Sequence, residues 1–312
     1  MLPALLAMGL FATSSVAARQ SIHHLGSNNA SLVRILLATF LLGIYAHGWG
    51  AGFSGPSLGW FLVSGLIGFG ICDTAIFIAL PRLGAQLTSL MVQCLSVPIG
   101  LLTEWLWLGT RLSATQLAAI TIILTGVVIA LKPTRRPLQT SAPTVSPATG
   151  PAVAASHGPG TAALVLGVVA AAGQAWGAVL SRHGTQLARA AGQPIDGLSV
   201  AYQRIWAGVF FIVLWWLWQR RQRGAGTATT HPDWRAASPW ILANALTGPS
   251  LGVACYQWAL ANHPTGIVMA ITALTPLAVI PLSWLLNRER PTTSSVVGGV
   301  IGVAGVCWLA LA

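Results

Sequence analysis

Of the five acidic residues in this 312-residue chain, Asp73 stands deepest inside an apolar run, GLIGFGICDTAIFIAL. A carboxylate well inside a membrane-crossing helix costs about 2.5–3.5 kcal/mol to insert, so it must face protein or water. Its chemistry would be proton exchange or contact with a cationic substrate group; the structural alternative is a bond to a neighbouring helix. Glu104 lies about one turn from the end of the next apolar run, where its side chain can reach the interface by snorkelling or serve the solute pathway. Polar and aromatic residues within the runs complete a candidate midplane site: Gln93, Gln174, Trp176, Tyr202, Gln203, Asn244, Tyr256 and Gln257. Interhelical hydrogen bonding accounts for buried Gln and Asn equally well. Arg34 and Arg204 each open a run and read as interface anchors. Glu289, between Arg288 and Arg290, reads as a turn or ion-pair residue.

The elements that position these groups follow from composition. Hydrophobic residues make up 54% of the chain and charged residues 7%, too few to cover a water-soluble globule. Ten apolar runs have the length of a membrane-crossing helix, at 2–18, 31–48, 58–80, 86–108, 114–131, 162–181, 199–218, 238–260, 265–286 and 293–311. The short alternating strands of a barrel are absent, so the expected fold is an all-α integral membrane protein. Within the first run, Ser15-Val16-Ala17 resembles a signal-peptidase site, but no Lys or Arg precedes it and the run is needed as a repeat member.

The net charge of +11 reports orientation rather than nucleic-acid binding, because the cations sit between runs. Connections after the odd-numbered runs hold Arg19, Arg82, Lys132, Arg135, Arg136, Arg220, Arg221, Arg223, Arg235, Arg288 and Arg290; the other side holds Arg111, Arg182 and Arg189. The positive-inside rule then puts both termini outside. Cys72, Cys94, Cys255 and Cys307 are singletons in apolar runs and read as small buried residues; no metal site and no cofactor are expected.

Residues 132–160 are rich in Pro, Ser, Thr, Ala and Gly and read as a flexible linker between two halves, 1–131 and 161–312. Moving the second half back by 180 positions superposes Trp60 on Trp240, Leu66 on Leu246, Gly68 on Gly248 and Ala79-Leu80 on Ala259-Leu260. A shift of 179 aligns Trp105 with Trp284 and Gly126 with Gly305. Five crossings per copy force the second copy to enter from the opposite side, giving an inverted pair. Pro98 and Pro276 fall in the fourth helix of each copy, and Gly248-Pro249 interrupts the eighth; each is expected to kink its helix.

The second copy, ALANHPTGIVMAITALTPLAVIPLSWLLNRERPTTSSVVGGVIGVAGV, and the first, ALPRLGAQLTSLMVQCLSVPIGLLTEWLWLGTRLSATQLAAITIILTGVV, resemble the EamA repeat of the drug/metabolite transporter superfamily. Thr110 stands where that repeat's turn glutamate is expected. The resemblance implies both termini in the cytoplasm, opposite to the arginine distribution, and the orientation stays open. It implies a secondary transporter of a small metabolite or drug-like solute in the plasma (inner) membrane, with the bilayer and that solute as partners.

Neither GxxxxGK[ST] nor a soluble domain occurs, so energy coupling would be to an ion gradient, protons among the candidates. Two other classes are an intramembrane enzyme and a non-transporting scaffold. The first lacks HExxH, and the seven histidines fall in or beside connections. Oligomeric state is not written in the sequence.

Overall fold

The structure, a computed structural model, describes residues 1–131, 161–222, 233–287 and 293–311. The expected linker 132–160 and the Arg288-Glu289-Arg290 turn lie outside the described residues. Apart from Leu131 and a break at Ala273 and Leu274, those residues are helical throughout the apolar runs, because backbone groups in hydrocarbon must be satisfied within their own segment.

In the first unit α1 (Leu2–Leu25) and α2 (Ser27–Gly48) are followed by α3 (Leu58–Gly65), a π turn (Leu66–Ile71), α4 (Cys72–Leu90), a second π turn (Met91–Leu95) and α5 (Ser96–Leu108). No non-helical residue separates Leu58 from Leu108. A straight helix would put Trp60 and Trp107 about 70 Å apart, yet their ring centroids lie 5.9 Å apart. The stretch therefore doubles back, and Leu83 and Met91, at its far end, both crowd Gly167. The break expected at 81–85 is a helical corner.

Gly109, at φ 67°, ends α5 in the left-handed conformation, and the Ser113/Gln116 capping box starts α6 (Ala114–Ala130). The second unit comprises α7 (Thr161–Ala190), α8 (Gly197–Gln222), α9 (Trp234–Ala245), a π turn (Leu246–Ser250), α10 (Leu251–Asn262), α11 (Thr265–Thr272), α12 (Thr275–Asn287) and α13 (Thr293–Leu311). Asp196 starts α8 by accepting the Leu198 and Ser199 amides at 2.9 and 3.0 Å; Asp233 does the same for α9 through Ala236 at 3.1 Å.

The two units exchange contacts reciprocally. The first helix of each packs on the third helix of the other: α1 on α9 and α10, α7 on α3 and α4. The second helices, α2 and α8, pair with each other, as do the fifth, α6 and α13. Such a reciprocal pattern is what a twofold relation produces, and with five crossings per unit the axis lies in the membrane plane. Small residues permit the closest contact: a Cβ on Gly126 of α6 would sit 2.6 Å from Gly302 N and 2.7 Å from Gly298 O of α13.

The interruptions recur in register. The π turns of the third helices begin at Leu66 and Leu246, 180 residues apart. In the fourth helices, the π turn Met91–Leu95 answers the break at Ala273 and Leu274, 179 residues beyond its end. Pro276 lies in the first turn of α12, after the break at Ala273 and Leu274, where a missing N–H is tolerated; Pro98 lies three residues past the π turn Met91–Leu95 in an unbroken helix, and Pro249 lies inside its π turn.

Candidate functional site

Asp73 is the second residue of α4, which follows the π turn Leu66–Ile71 directly. The stripe of small residues on that helix hairpin packs away from it: Gly65 against the Arg204 backbone, Gly68 against Gly177, Cys72 against Gly173. Asp73 instead borders a crevice lined by Ile35, Phe69, Thr74, Gly208, Phe211 and Ile212, where Arg34 of α2 is its electrostatic partner. Arg34 is half-buried; its buried Nε has no hydrogen-bond partner, and the Asp73 charge acts on it electrostatically.

Arg204 departs further from the anchor expected of it. It is 5% exposed, its guanidinium carbon lies 5.6 Å above the Phe69 ring centroid, and its other electrostatic neighbour is Tyr256 of α10. The residue sits on the second turn of α8, but its side chain runs inward to the π turn of the third helix rather than outward to headgroups. Tyr256 also meets Phe11 of α1, with ring centroids 6.3 Å apart.

Glu104 does not snorkel. It is 2% exposed, pairs with Arg182 of α7 at 2.8 Å and accepts the Thr265 amide at 2.6 Å. The Arg182 contact is poorly aligned for a hydrogen bond and acts by charge. Arg182 and His183 had been placed in a connection; α7 continues nine residues past Ser181 because nothing in RHGTQLARA stops a helix before Gly192, at φ 71°. His183 thereby lies between Trp60 and Trp107, at 4.9 and 5.0 Å.

Most of the remaining polar candidates join helices. Gln174 donates to Gln93 at 3.4 Å, Ser14 donates to Asn244 Oδ1 at 2.7 Å, and Ser181 donates to Gln257. Gln203 donates to the Gly52 and Ser54 carbonyls at 2.9 and 3.0 Å, holding the connection between α2 and α3. Tyr202 hydrogen-bonds His47 at 3.0 Å, and half-exposed Trp176 donates to Thr103 at 3.2 Å. Ser14, His47 and Ser181 were invisible as partners in the sequence, since a lone hydroxyl or imidazole carries no period. What these bonds leave over is Asp73 with Arg34, and Arg204 with Tyr256.

A cavity of about 450 Å³ opens elsewhere, between the end of α7, the start of α8 and α10. Its charges are engaged: Arg189 holds the Ala261 carbonyl and Asn262, and Asp196 caps α8. Among the described residues no cluster of His, Cys, Asp and Glu could hold a metal ion.

Comparison with known proteins bears on the fold and on the class. The profile of the EamA-like transporter family matches residues 1–132 and 161–311. Among curated proteins none matches the chain. Of 28 matching chains in solved structures, one described as "Crystal structure of protein" superposes with a TM-score of 0.68 at 19% identity, covering 99% of this chain and 96% of its own. At that identity the likeness concerns fold alone.

Proposed function

Since the chain belongs to the EamA-like transporter family, we propose that it moves a small metabolite or drug-like solute across the plasma (inner) membrane by alternating access. The observation that carries this reading is the matched register of the helix interruptions, Leu66–Ile71 against Leu246–Ser250 and Met91–Leu95 against Ala273 and Leu274. Interrupted helices at equivalent steps of two inverted units are where such proteins bind solute and rock about it. Arg204 and Tyr256 lie between the third-helix interruptions, Arg204 over Phe69 in one and Tyr256 just beyond the other.

Energy coupling falls to Asp73. Ionised, its charge offsets that of Arg34; protonated, it no longer does, so loading or unloading one proton at the carboxylate changes the charge balance between α2 and α4. The test uses proteoliposomes of the full chain, loaded with extract from cells lacking the protein and held at two external pH values. Protein-dependent movement of at least one solute is expected. Its absence at both pH values rejects transport in favour of a scaffold. Asp73→Asn at equal protein should abolish the pH dependence; full retention of flux and pH dependence rejects the coupling role.

A further inference from the structure

Among the described residues, the second unit carries a buried cation with no carboxylate partner. Four of the five carboxylates of the chain lie among the described residues: Glu104 pairs with Arg182, Asp196 and Asp233 cap helices, and Asp73 acts on Arg34 electrostatically without a close ion pair. Arg204 is left with an aromatic face, a neighbouring tyrosine and a buried Nε that has no hydrogen-bond partner. The repeat explains the vacancy. The shift of 180 that brings Leu66 onto Leu246 brings Asp73 onto Val253, which packs in one apolar cluster with Ala201 and Ile205, close to Arg204 on α8. The first unit has an arginine within the electrostatic reach of an aspartate, although both arginines have an unbonded Nε; the second has kept the arginine and holds valine at the aspartate's position.

We propose that Arg204 docks a monoanionic group, a carboxylate, on a solute with an apolar or aromatic body, the solute supplying the charge that Val253 does not. This rests on the transporter reading above and names its substrate class. A single uncompensated guanidinium matches a charge of −1, and its planar fork suits a carboxylate. Gly68 lets the guanidinium lie close to the helix backbone, since a Cβ there would sit 3.2 Å from Arg204 Nη2. Tyr256 supplies a hydroxyl donor on the α10 side, and Phe69, Phe11 and the Tyr256 ring supply apolar walls. An unpaired charge in a dry interior is costly, so a ligand that neutralises it gains more here than at the surface.

Binding and flux are measured separately on the purified full chain. In phosphatidylcholine nanodiscs, equilibrium dialysis compares benzoate, 3-phenylpropionate and indole-3-acetate with their neutral amides. At least one carboxylate is expected to bind about tenfold tighter than its amide. Arg204→Gln should erase that ratio, and Arg204→Lys should keep part of it. Val253→Asp should abolish carboxylate binding while Val253→Asn retains it. A ligand-free arm covers misfolding: Val253→Asp should melt well below its parent in the Arg204→Gln background and close to its parent with Arg204 present. Equal binding of acid and amide, no carboxylate bound at millimolar concentration, or the same melting penalty in both backgrounds overturns the proposal. Competition by phosphatidylglycerol added to the nanodiscs assigns the site to lipid headgroups and overturns it too. Charge-selective binding without flux in proteoliposomes would reject transport and leave the anion site standing; flux without acid preference would do the reverse.

Discussion

Glu104 and Arg182 meet at 2.8 Å in the protein interior, joining the fourth helix of the first unit to the first helix of the second. The same two side chains hold the turn between α10 and α11. Glu104 accepts the Thr265 amide at the start of α11, while Arg182 donates to Leu260 O at 2.9 Å and to His263 O at the end of α10. Each charge therefore complements the end of the helix dipole it touches. Removing one partner strands the other, so Glu104→Gln should destabilise the fold by about 3–5 kcal/mol. Thermal melting in detergent checks this, and Glu104→Leu with Arg182→Met should cost less than the two single changes added together.

The contact between α6 and α13 makes a second prediction. A Cβ on Gly298 would lie 2.4 Å from Gly126 O and 2.6 Å from Ala130 N, backbone atoms that cannot rotate away. Gly298→Ala should therefore lower stability by about 1–3 kcal/mol. Gly299, one residue on, has open space at the same position, and Gly299→Ala should stay within about 0.5 kcal/mol of the parent. Parallel melts of the two variants decide it.

His263, in the turn between α10 and α11, has its pKa lowered from 6.5 by burial, then by the positive charges of the amino terminus and Arg182. A histidine held below its unfolded value favours the fold when neutral. Its contribution is complete above pH 6.5 and is lost as pH falls from there toward the folded pKa. Melting temperature should fall over that window, and His263→Gln should flatten the decline; an unchanged slope refutes the assignment.

Pro249 bears on motion rather than stability. It withholds a backbone N–H inside the π turn Leu246–Ser250, and alanine would restore a donor able to close an ordinary helical turn. Pro249→Ala should slow solute flux about tenfold, or ~1.4 kcal/mol in the barrier, with melting little changed. Rates in proteoliposomes at matched protein content test this.

The architecture was largely legible because hydropathy and the 180-residue repeat act over whole helices: Trp60 with Trp240 and Gly68 with Gly248 were enough to place both third helices. The polar interior was less so. Arg204 looked like an anchor because its position near the start of a run says nothing about which way the side chain turns. Only the helix packing shows it turned toward Phe69. Glu104 looked able to reach water because its partner, Arg182, lay beyond the end of an apolar window that closed at Ser181. The gap between the runs 58–80 and 86–108 suggested a break where the chain bends while still helical, since a dip in hydropathy marks a change of direction but not how the backbone bonds are satisfied there.

The interruptions beginning at Leu66 and Leu246 occupy the same step of two units that enter the bilayer from contrary sides. On the alternating-access mechanism proposed above, one weak point opens toward one leaflet and its twin toward the other. Equivalent stiffening lesions should arrest the working cycle in mirrored postures, one starved of cargo and the other unable to discharge it.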